Sequence, residues 1–285
     1  MSSPVLTLAN GVELPAFSFG VYQIPEGPVC EKAVADALEA GYRSIDTAVS
    51  YGNEASVGRA VAASGIARNE LFITSKLWVE DASESGAEAS VKRSLDRMGL
   101  DYIDLYLIHQ PVGDVHGAWR GLTKMLRAGL VRAIGVSNFA PDRLMDIALA
   151  NEVRPMVNQV EISPFCQQRA AFPTMADLGV VPEAWAPFAE GRNGIFFNPV
   201  LRQVAAKHGV TVAQVVLAFV ARLGAAVVSK SVSPARMKEN LAASELVLDD
   251  DDMRAIAALD KGESQFFSHR DPSIVRWFLE RRIRL

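Results

Sequence analysis

A carboxylate and a phenol stand five residues apart in "SIDTAVSYGNEASVG", as Asp46 and Tyr51. Further along, "LFITSKLW" carries Lys76 and "DYIDLYLIH" ends on His109. An acid, a phenol, an amine and an imidazole gathered in one pocket could move a proton to or from a carbonyl oxygen. A free tyrosine has a pKa of about 10, so near neutral pH its proton transfer benefits from a nearby cation that stabilises phenolate. Lys76 supplies such a cation. Asp46 can keep that ammonium charged inside a low-dielectric pocket, where an unpaired lysine tends to deprotonate. A neutral His109 can donate a hydrogen bond to the carbonyl oxygen and orient it.

Four such residues meet only if the chain brings them to one end of a common scaffold. Short β-branched runs alternate with helical patterns along the whole sequence: "AFSFGVY", "RSIDTA", "LFITSKL", "YIDLYLIH", "VRAIGVS", "PMVNQVEI", "VVPEAWAP" and "AAVVSKS". Between them lie amphipathic segments such as "PVCEKAVADALEAG", "SVKRSLDRMG", "AWRGLTKMLRAG", "PDRLMDIALANE" and "NPVLRQVAAKHG", several ending in a glycine suited to a helix C-cap. Strand–helix alternation of this kind implies a parallel sheet with right-handed crossovers, and eight units predict a closed (β/α)8 TIM barrel. Chemistry in a barrel sits where strands end. The predicted strand ends carry Asp46 with Tyr51, then Ser75-Lys76, His109-Gln110, Ser137-Asn138, Asn158-Gln159-Glu161, Trp185 and Ser229-Lys230-Ser231. The opening "PVLTLANGVELPAFSFG" predicts an N-terminal β-hairpin with a two-residue turn at Asn10-Gly11, placed to plug the barrel's bottom. No Pro/Gly/Ser linker or repeat divides the chain, so residues 1–285 read as one domain.

Composition narrows the partners. A chain that is 49% hydrophobic can bury a full core, and a formal charge of −4 argues against nucleic acid or a membrane surface and for a small molecule. The two cysteines, Cys30 and Cys166, have no metal-ligand spacing, and no HExxH or Cys/His cluster points to a metal. With no secretory leader and no apolar run long enough for a bilayer, the expectation is a cytoplasmic protein. His116, His208 and His269 are expected to be solvated. "GAAVVSKS" approaches a P-loop, but Ser229 stands where its second glycine should be and the run is a strand, so nucleotide hydrolysis is rejected.

Taken together, "SIDTAVSYGNEASVG", "LFITSKLW", "DYIDLYLIH", "GVSNF", "NQVEISPF" and "SKSVSPARMKEN" resemble the successive motifs of the aldo-keto reductase family. The likeness runs in order from about residue 5 to residue 270 and is greatest to its bacterial diketogluconate reductase and glyoxal reductase branch. It implies a (β/α)8 barrel that binds NADPH without a Rossmann domain, in keeping with the lack of any G-x-G-x-x-G after a strand. The implied reaction is reduction of an aldehyde or ketone, with hydride from the nicotinamide and a proton from Tyr51, and with Asp46, Lys76 and His109 completing a catalytic tetrad. Ser137, Asn138 and Gln159 match positions that hold the nicotinamide carboxamide, and Trp185 stands where the family usually has a stacking tyrosine. The loop "AWAPFAEGRNG" matches the one over the pyrophosphate, through Ala186, Pro187 and Phe188, although Ala186 replaces the usual serine. Lys230, Ser231 and Arg236 match a phosphate clamp, Glu239 and Asn240 the adenine contacts, and Gly20, Val21 and Val232 complete the cofactor face. No metal is implied.

Tyr22, Trp78, His109 and Gln110 are expected to meet the substrate. Gln110 replaces an aromatic common in the family and the loop after it is short, which predicts an open, polar mouth. A C-terminal loop and tail, "FFSHRDPSIVRWFLERRIRL", is expected over that mouth, its Arg270, Arg276, Arg281, Arg282 and Arg284 reading as a solvated basic end more than as a keto-acid site. The expected form is a monomer. Two alternatives stand beside the reductase reading: a cofactor-binding redox-sensing subunit with little turnover, and a Schiff-base lyase using Lys76.

Overall fold

In a computed structural model, which describes residues 4–283, the eight β-branched runs close on themselves. After a hairpin of β1 (Val5–Thr7) and β2 (Glu13–Pro15) come the barrel strands β3 (Phe17–Gly20), β4 (Ser44–Asp46), β5 (Phe72–Leu77), β6 (Ile103–Ile108), β7 (Val131–Ser137), β8 (Val157–Glu161), β9 (Val181–Trp185) and β10 (Ala226–Ser229). Each barrel strand pairs in parallel with the next, and β10 returns to β3 with Val227 opposite Phe17. Helices cover the outside, so the strands are buried on both faces, which is why they read as unbroken apolar runs. The helices are α1 (Pro28–Ala40), α2 (Glu54–Ala63), α3 (Glu84–Met98), α4 (Val115–Arg127), α5 (Pro141–Leu149), α6 (Ala171–Leu178), α7 (Pro199–His208), α8 (Val212–Arg222), α9 (Pro234–Ala242) and α10 (Asp250–Ala257), followed by α11 (Pro272–Glu280), which lies at the strands' C-terminal end.

The hairpin forms, but not with the turn that Asn10-Gly11 predicts. Gly11 N–H donates to Leu8 O at 2.8 Å, so Ala9 and Asn10 are the central residues, and Gly11 follows them at φ 83°. This is a three-residue loop ending in a left-handed glycine, not a primed two-residue turn. Asn10 Nδ2 donates to Arg132 O at 2.9 Å, at the start of β7, while Leu8 and Leu14 are buried. The hairpin therefore crosses the barrel's N-terminal end, away from the strand ends that carry polar residues.

Close helix packing leaves some positions no room for a side chain. A Cβ on Gly58 of α2 would be driven into the backbone of Met98, at the end of α3. Backbone cannot step aside as a flexible side chain can. Gly58→Ala is expected to destabilise the fold by about 1–3 kcal/mol, read as a lowered midpoint in denaturant at unchanged slope.

Candidate active site

The strand that ends on Asp46 passes into a single 3-10 turn, Val49–Tyr51, closed by Gly52 at φ 69°. That turn places Tyr51 over the ammonium of Lys76, which rises from β5. Lys76 is fully buried and spends its three protons on three acceptors: Asp46 Oδ1 at 2.6 Å, Thr47 O at 2.8 Å and Tyr51 Oη at 3.4 Å. Burial disfavours the ammonium, but Asp46 and Tyr51 beside it more than offset this and hold its pKa above that of an ordinary lysine. Burial also dominates at Tyr51, whose pKa is pushed up to about 12 even though Lys76 pulls it down. The phenol is thus protonated throughout the neutral range. His109, at the end of β6, sits edge-on to Tyr51 with ring centroids 5.7 Å apart, and its Nδ1 lies 3.3 Å from Ser50 Oγ. Burial, then the charge of Lys76, takes its pKa well below the usual histidine value, so the imidazole is neutral. The four residues predicted to meet do meet.

The amide residues on the neighbouring strand ends are arranged less freely than their types suggest. Ser137 Oγ donates to Gln159 O at 2.8 Å. Asn138, held at φ 65°, donates to His109 O at 3.1 Å and accepts from Trp185 Nε1 at 2.9 Å. Among the described residues, Gln159 keeps its amide oxygen free at the cavity, while the other unpartnered amide oxygen of β8, that of Asn158, is fully buried. A cavity of about 460 Å³ opens over Tyr51 and His109 and is also lined by Gly20, Ser137, Asn138, Gln159, Trp185, Ala186, Pro187 and Phe188. At Phe188, Glu190 and Lys230 it joins a second recess of about 580 Å³ that holds Ser231, Val232, Arg236, Glu239 and Asn240. Neither Lys230 nor Arg236 has an acidic partner among the ion pairs of the described residues, and both are exposed beside the start of α9. Glu239 accepts from Thr211 Oγ1 at 2.8 Å, whereas Asn240 is buried. Val21, expected on the cofactor face, is fully buried and donates its N–H to Asp46 O at 3.0 Å, so its role is to fix the strand and not to line the cavity.

The mouth departs from its prediction. Tyr22, Trp78 and Gln110 line it as expected, but so do Phe267, Trp277 and Phe278, which adds an aromatic wall to polar groups such as Gln110 and His269. The C-terminal segment supplies these rings by docking on Trp78, whose Nε1 donates to Arg281 O at 3.2 Å. The basic end is not uniformly solvated either. The Arg281 guanidinium lies 5.7 Å from the Trp78 ring and lines the cavity, and Arg270 pairs with Asp142 at 2.7 Å. Arg282 approaches Glu80 at 3.8 Å, Arg276 is exposed, and Arg284 lies outside the described residues. The three remaining histidines are half-buried, not solvated. His208 meets Asp252 at 2.7 Å, His116 meets Asp146 at 3.1 Å, and His269 stacks on Phe278, where burial lowers its pKa to about 4.

One charged residue escaped the sequence reading. Glu183 lies fully buried on β9, where Gln159 Nε2 donates to its Oε2 at 2.8 Å. The available signal was an acid inside the otherwise apolar run "VVPEAW".

The matches to known proteins agree with this geometry. The model of the Aldo/keto reductase family matches residues 26–194 and 196–261. Glyoxal reductase of Bacillus subtilis is 43% identical over 257 residues, covering 90% of this chain and 92% of that protein. Methylglyoxal reductase DkgA of Salmonella typhimurium is 40% identical over 267 residues, covering 92% of this chain and 96% of that protein. Among solved structures, a Bombyx mori aldo-keto reductase in complex with NADP superposes with a TM-score of 0.89 at 30% identity, covering 97% of both chains.

Proposed function

The chain belongs to the Aldo/keto reductase family, and on that premise we propose that it reduces a small aldehyde or ketone to an alcohol with NADPH, the proton coming from Tyr51. The observation that carries this reading is the buried chain Asp46–Lys76–Tyr51, in which all three ammonium protons are committed and the phenol points into the cavity beside His109. Relatives named for glyoxal and methylglyoxal reduction support a small carbonyl substrate, and the NADP-bound structural neighbour supports the coenzyme.

The residues present fit a nicotinamide dinucleotide. Gln159 offers an unpartnered amide oxygen, Trp185 an indole face at the cavity wall, and Lys230 and Arg236 unpaired cations at its far end. With Ser137, Asn138 and Gln159 toward the nicotinamide, Ala186, Pro187 and Phe188 along the pyrophosphate, and Lys230, Ser231, Arg236, Glu239 and Asn240 at the adenosine end, the two joined recesses accommodate the whole molecule. Asn138 would share the contact it gives Trp185, and Ala186 offers no hydroxyl. When bound, the nicotinamide supplies the hydride, which is the part of the chemistry that side chains cannot provide. The protein's own residues do the rest. Neutral His109 donates to the carbonyl oxygen, and Tyr51, held protonated by burial, delivers a proton to that oxygen as charge develops on it. Lys76 then faces the phenolate and lowers the cost of that transfer.

Lys76 is a poor candidate for imine chemistry, because an ammonium with three acceptors and a raised pKa has no lone pair to offer. A redox-sensing subunit would bind NADPH without turning over. Loss of the nicotinamide absorbance with glyoxal or methylglyoxal tests the proposal; no oxidation across a panel of aldehydes and ketones by a protein that binds NADPH would overturn it. The fold encloses one barrel, and we propose that residues 1–285 act as a single domain, as a cytoplasmic monomer.

Coenzyme choice gives a separate check. A 2′-phosphate is best held by a guanidinium fork with an ammonium and backbone donors nearby, and Arg236 and Lys230 lie at the N-terminus of α9, whose Ser233 cap makes no side-chain bond to the free N–H groups. A charge-assisted contact contributes about 1.5–3 kcal/mol, so Arg236→Ala should weaken NADPH binding roughly ten- to a hundredfold and leave NADH nearly unchanged, as read by quenching of tryptophan fluorescence. Equal losses would mean that Arg236 only supports the fold.

A further inference from the structure

Gln159 sits between two carboxylates. Its single amide nitrogen donates to Asp46 Oδ2 at 2.9 Å and to Glu183 Oε2 at 2.8 Å, which uses both of its protons. An amide oxygen turned toward Asp46, which already accepts from Lys76 through its other oxygen, would meet an acceptor, so the nitrogen faces it. Glu183 Oε2 takes the second proton whether or not the unpartnered Oε1 carries one of its own. Asp46 alone would not fix it. One carboxylate satisfies one proton, and its other oxygen is already taken by Lys76 at 2.6 Å.

Glu183 is an expensive residue to keep at this place. It is fully buried, and among the described residues its Oε1 has no hydrogen-bond partner and no cation pairs with it, since Lys76 is paired with Asp46. Burial, then the charge of Asp46, raises its pKa to about 7. An apolar residue of similar size would avoid this cost. What Glu183 does provide is an acceptor for the second proton of Gln159.

We propose that Glu183 is a positioning residue, which together with Asp46 locks the Gln159 amide so that its oxygen faces the cavity as an obligate acceptor for the amide N–H of a carboxamide-bearing coenzyme. The inference rests on the nicotinamide reading given above and adds to it a residue that touches neither coenzyme nor substrate. Without Glu183, the Gln159 amide loses one of its two anchors, and its oxygen is no longer held ready for a donor. The effect is specific to the carboxamide N–H, because everything else that the site offers a dinucleotide is unchanged.

That specificity sets the experiment. Dissociation constants for NADP+ and for its 3-acetylpyridine analogue, which carries a methyl ketone in place of the carboxamide and so has no N–H to donate, are measured by tryptophan quenching for the wild-type protein and Glu183→Leu. The expected result is a loss of about two- to tenfold for NADP+ and none for the analogue, with Gln159→Leu showing the same selectivity and the double variant no further loss. An equal change for both ligands, or no change for either, overturns the proposal. Should Glu183→Leu not fold, Glu183→Met serves under the same criteria, since its flexible side chain of similar length has no oxygen to accept the second Gln159 proton. A wild-type protein that bound neither ligand would overturn the coenzyme reading itself, and the proposal with it.

Discussion

Tyr51→Phe is expected to lower turnover of an aldehyde by about 10²–10⁴-fold while leaving NADPH affinity within about a factor of two. The substitution removes one oxygen and keeps the ring that packs 4.9 Å from Tyr22 and 5.7 Å from His109. Nothing else in the cavity has both a proton at neutral pH and a cation ready to stabilise its loss. His109 is neutral and its Nδ1 faces Ser50, and Lys76, which gives up its Tyr51 acceptor in this variant, still has two protons on Asp46 and Thr47 and releases the third only at the cost of its charge beside Asp46. Steady-state rates measured beside fluorescence titrations separate the two quantities. Near wild-type turnover by Tyr51→Phe would place the proton donor elsewhere.

Lys76→Met has the second large effect, and it acts on stability as well as on rate. Removing the ammonium leaves Asp46, itself buried, without its charge partner, and breaking a buried pair on one side costs about 3–5 kcal/mol. The phenolate that follows proton transfer also loses its counter-charge, so turnover should fall by orders of magnitude. Because the folded pKa of Lys76 is raised, its linked stabilisation is fully present below the unfolded value near 10.4 and is lost only as pH climbs through the higher folded value. That alkaline loss should be missing from the variant in a series of urea unfolding curves at rising pH. Asp46→Asn should be milder, since Thr47 O still holds the ammonium. The double variant should be no slower than Lys76→Met alone, and independent, multiplicative losses would show that the two residues do not act as a unit.

The sequence placed these residues well because the rule that locates them is local. Asp46, Lys76 and His109 each close a β-branched run, and a parallel barrel gathers strand ends at one rim. What it could not supply depends on distance. Trp78 and Arg281 meet across 203 residues, and no period or motif announces that the last helix will wall the cavity. Helix α8 also went unread as a helix, because it is buried nearly all round and so lacks the polar stripe that marks an amphipathic segment. Glu183 was hidden for the opposite reason. Inside a strand that is apolar on both faces, a single acid looks like an interruption, and only the side chains of β4 and β8 reveal what it answers to.

The aromatic wall of the mouth comes from a segment that adds no strand to the barrel. Phe267, Trp277 and Phe278 follow the eighth strand by more than thirty residues, and only Phe278 of the three is buried. Folding and proton chemistry are thus encoded before this segment, while the shape of the entrance is encoded within it. Changes at Phe267 and Trp277 leave the barrel core and the Asp46–Lys76 pair intact, whereas Phe278 anchors the segment in a small apolar cluster with Val49, Trp78, Val79 and Val112. In evolutionary terms the last turns of the chain are a low-risk region in which substrate range can drift, and in engineering terms they are the place to graft a new entrance onto an unaltered catalytic floor.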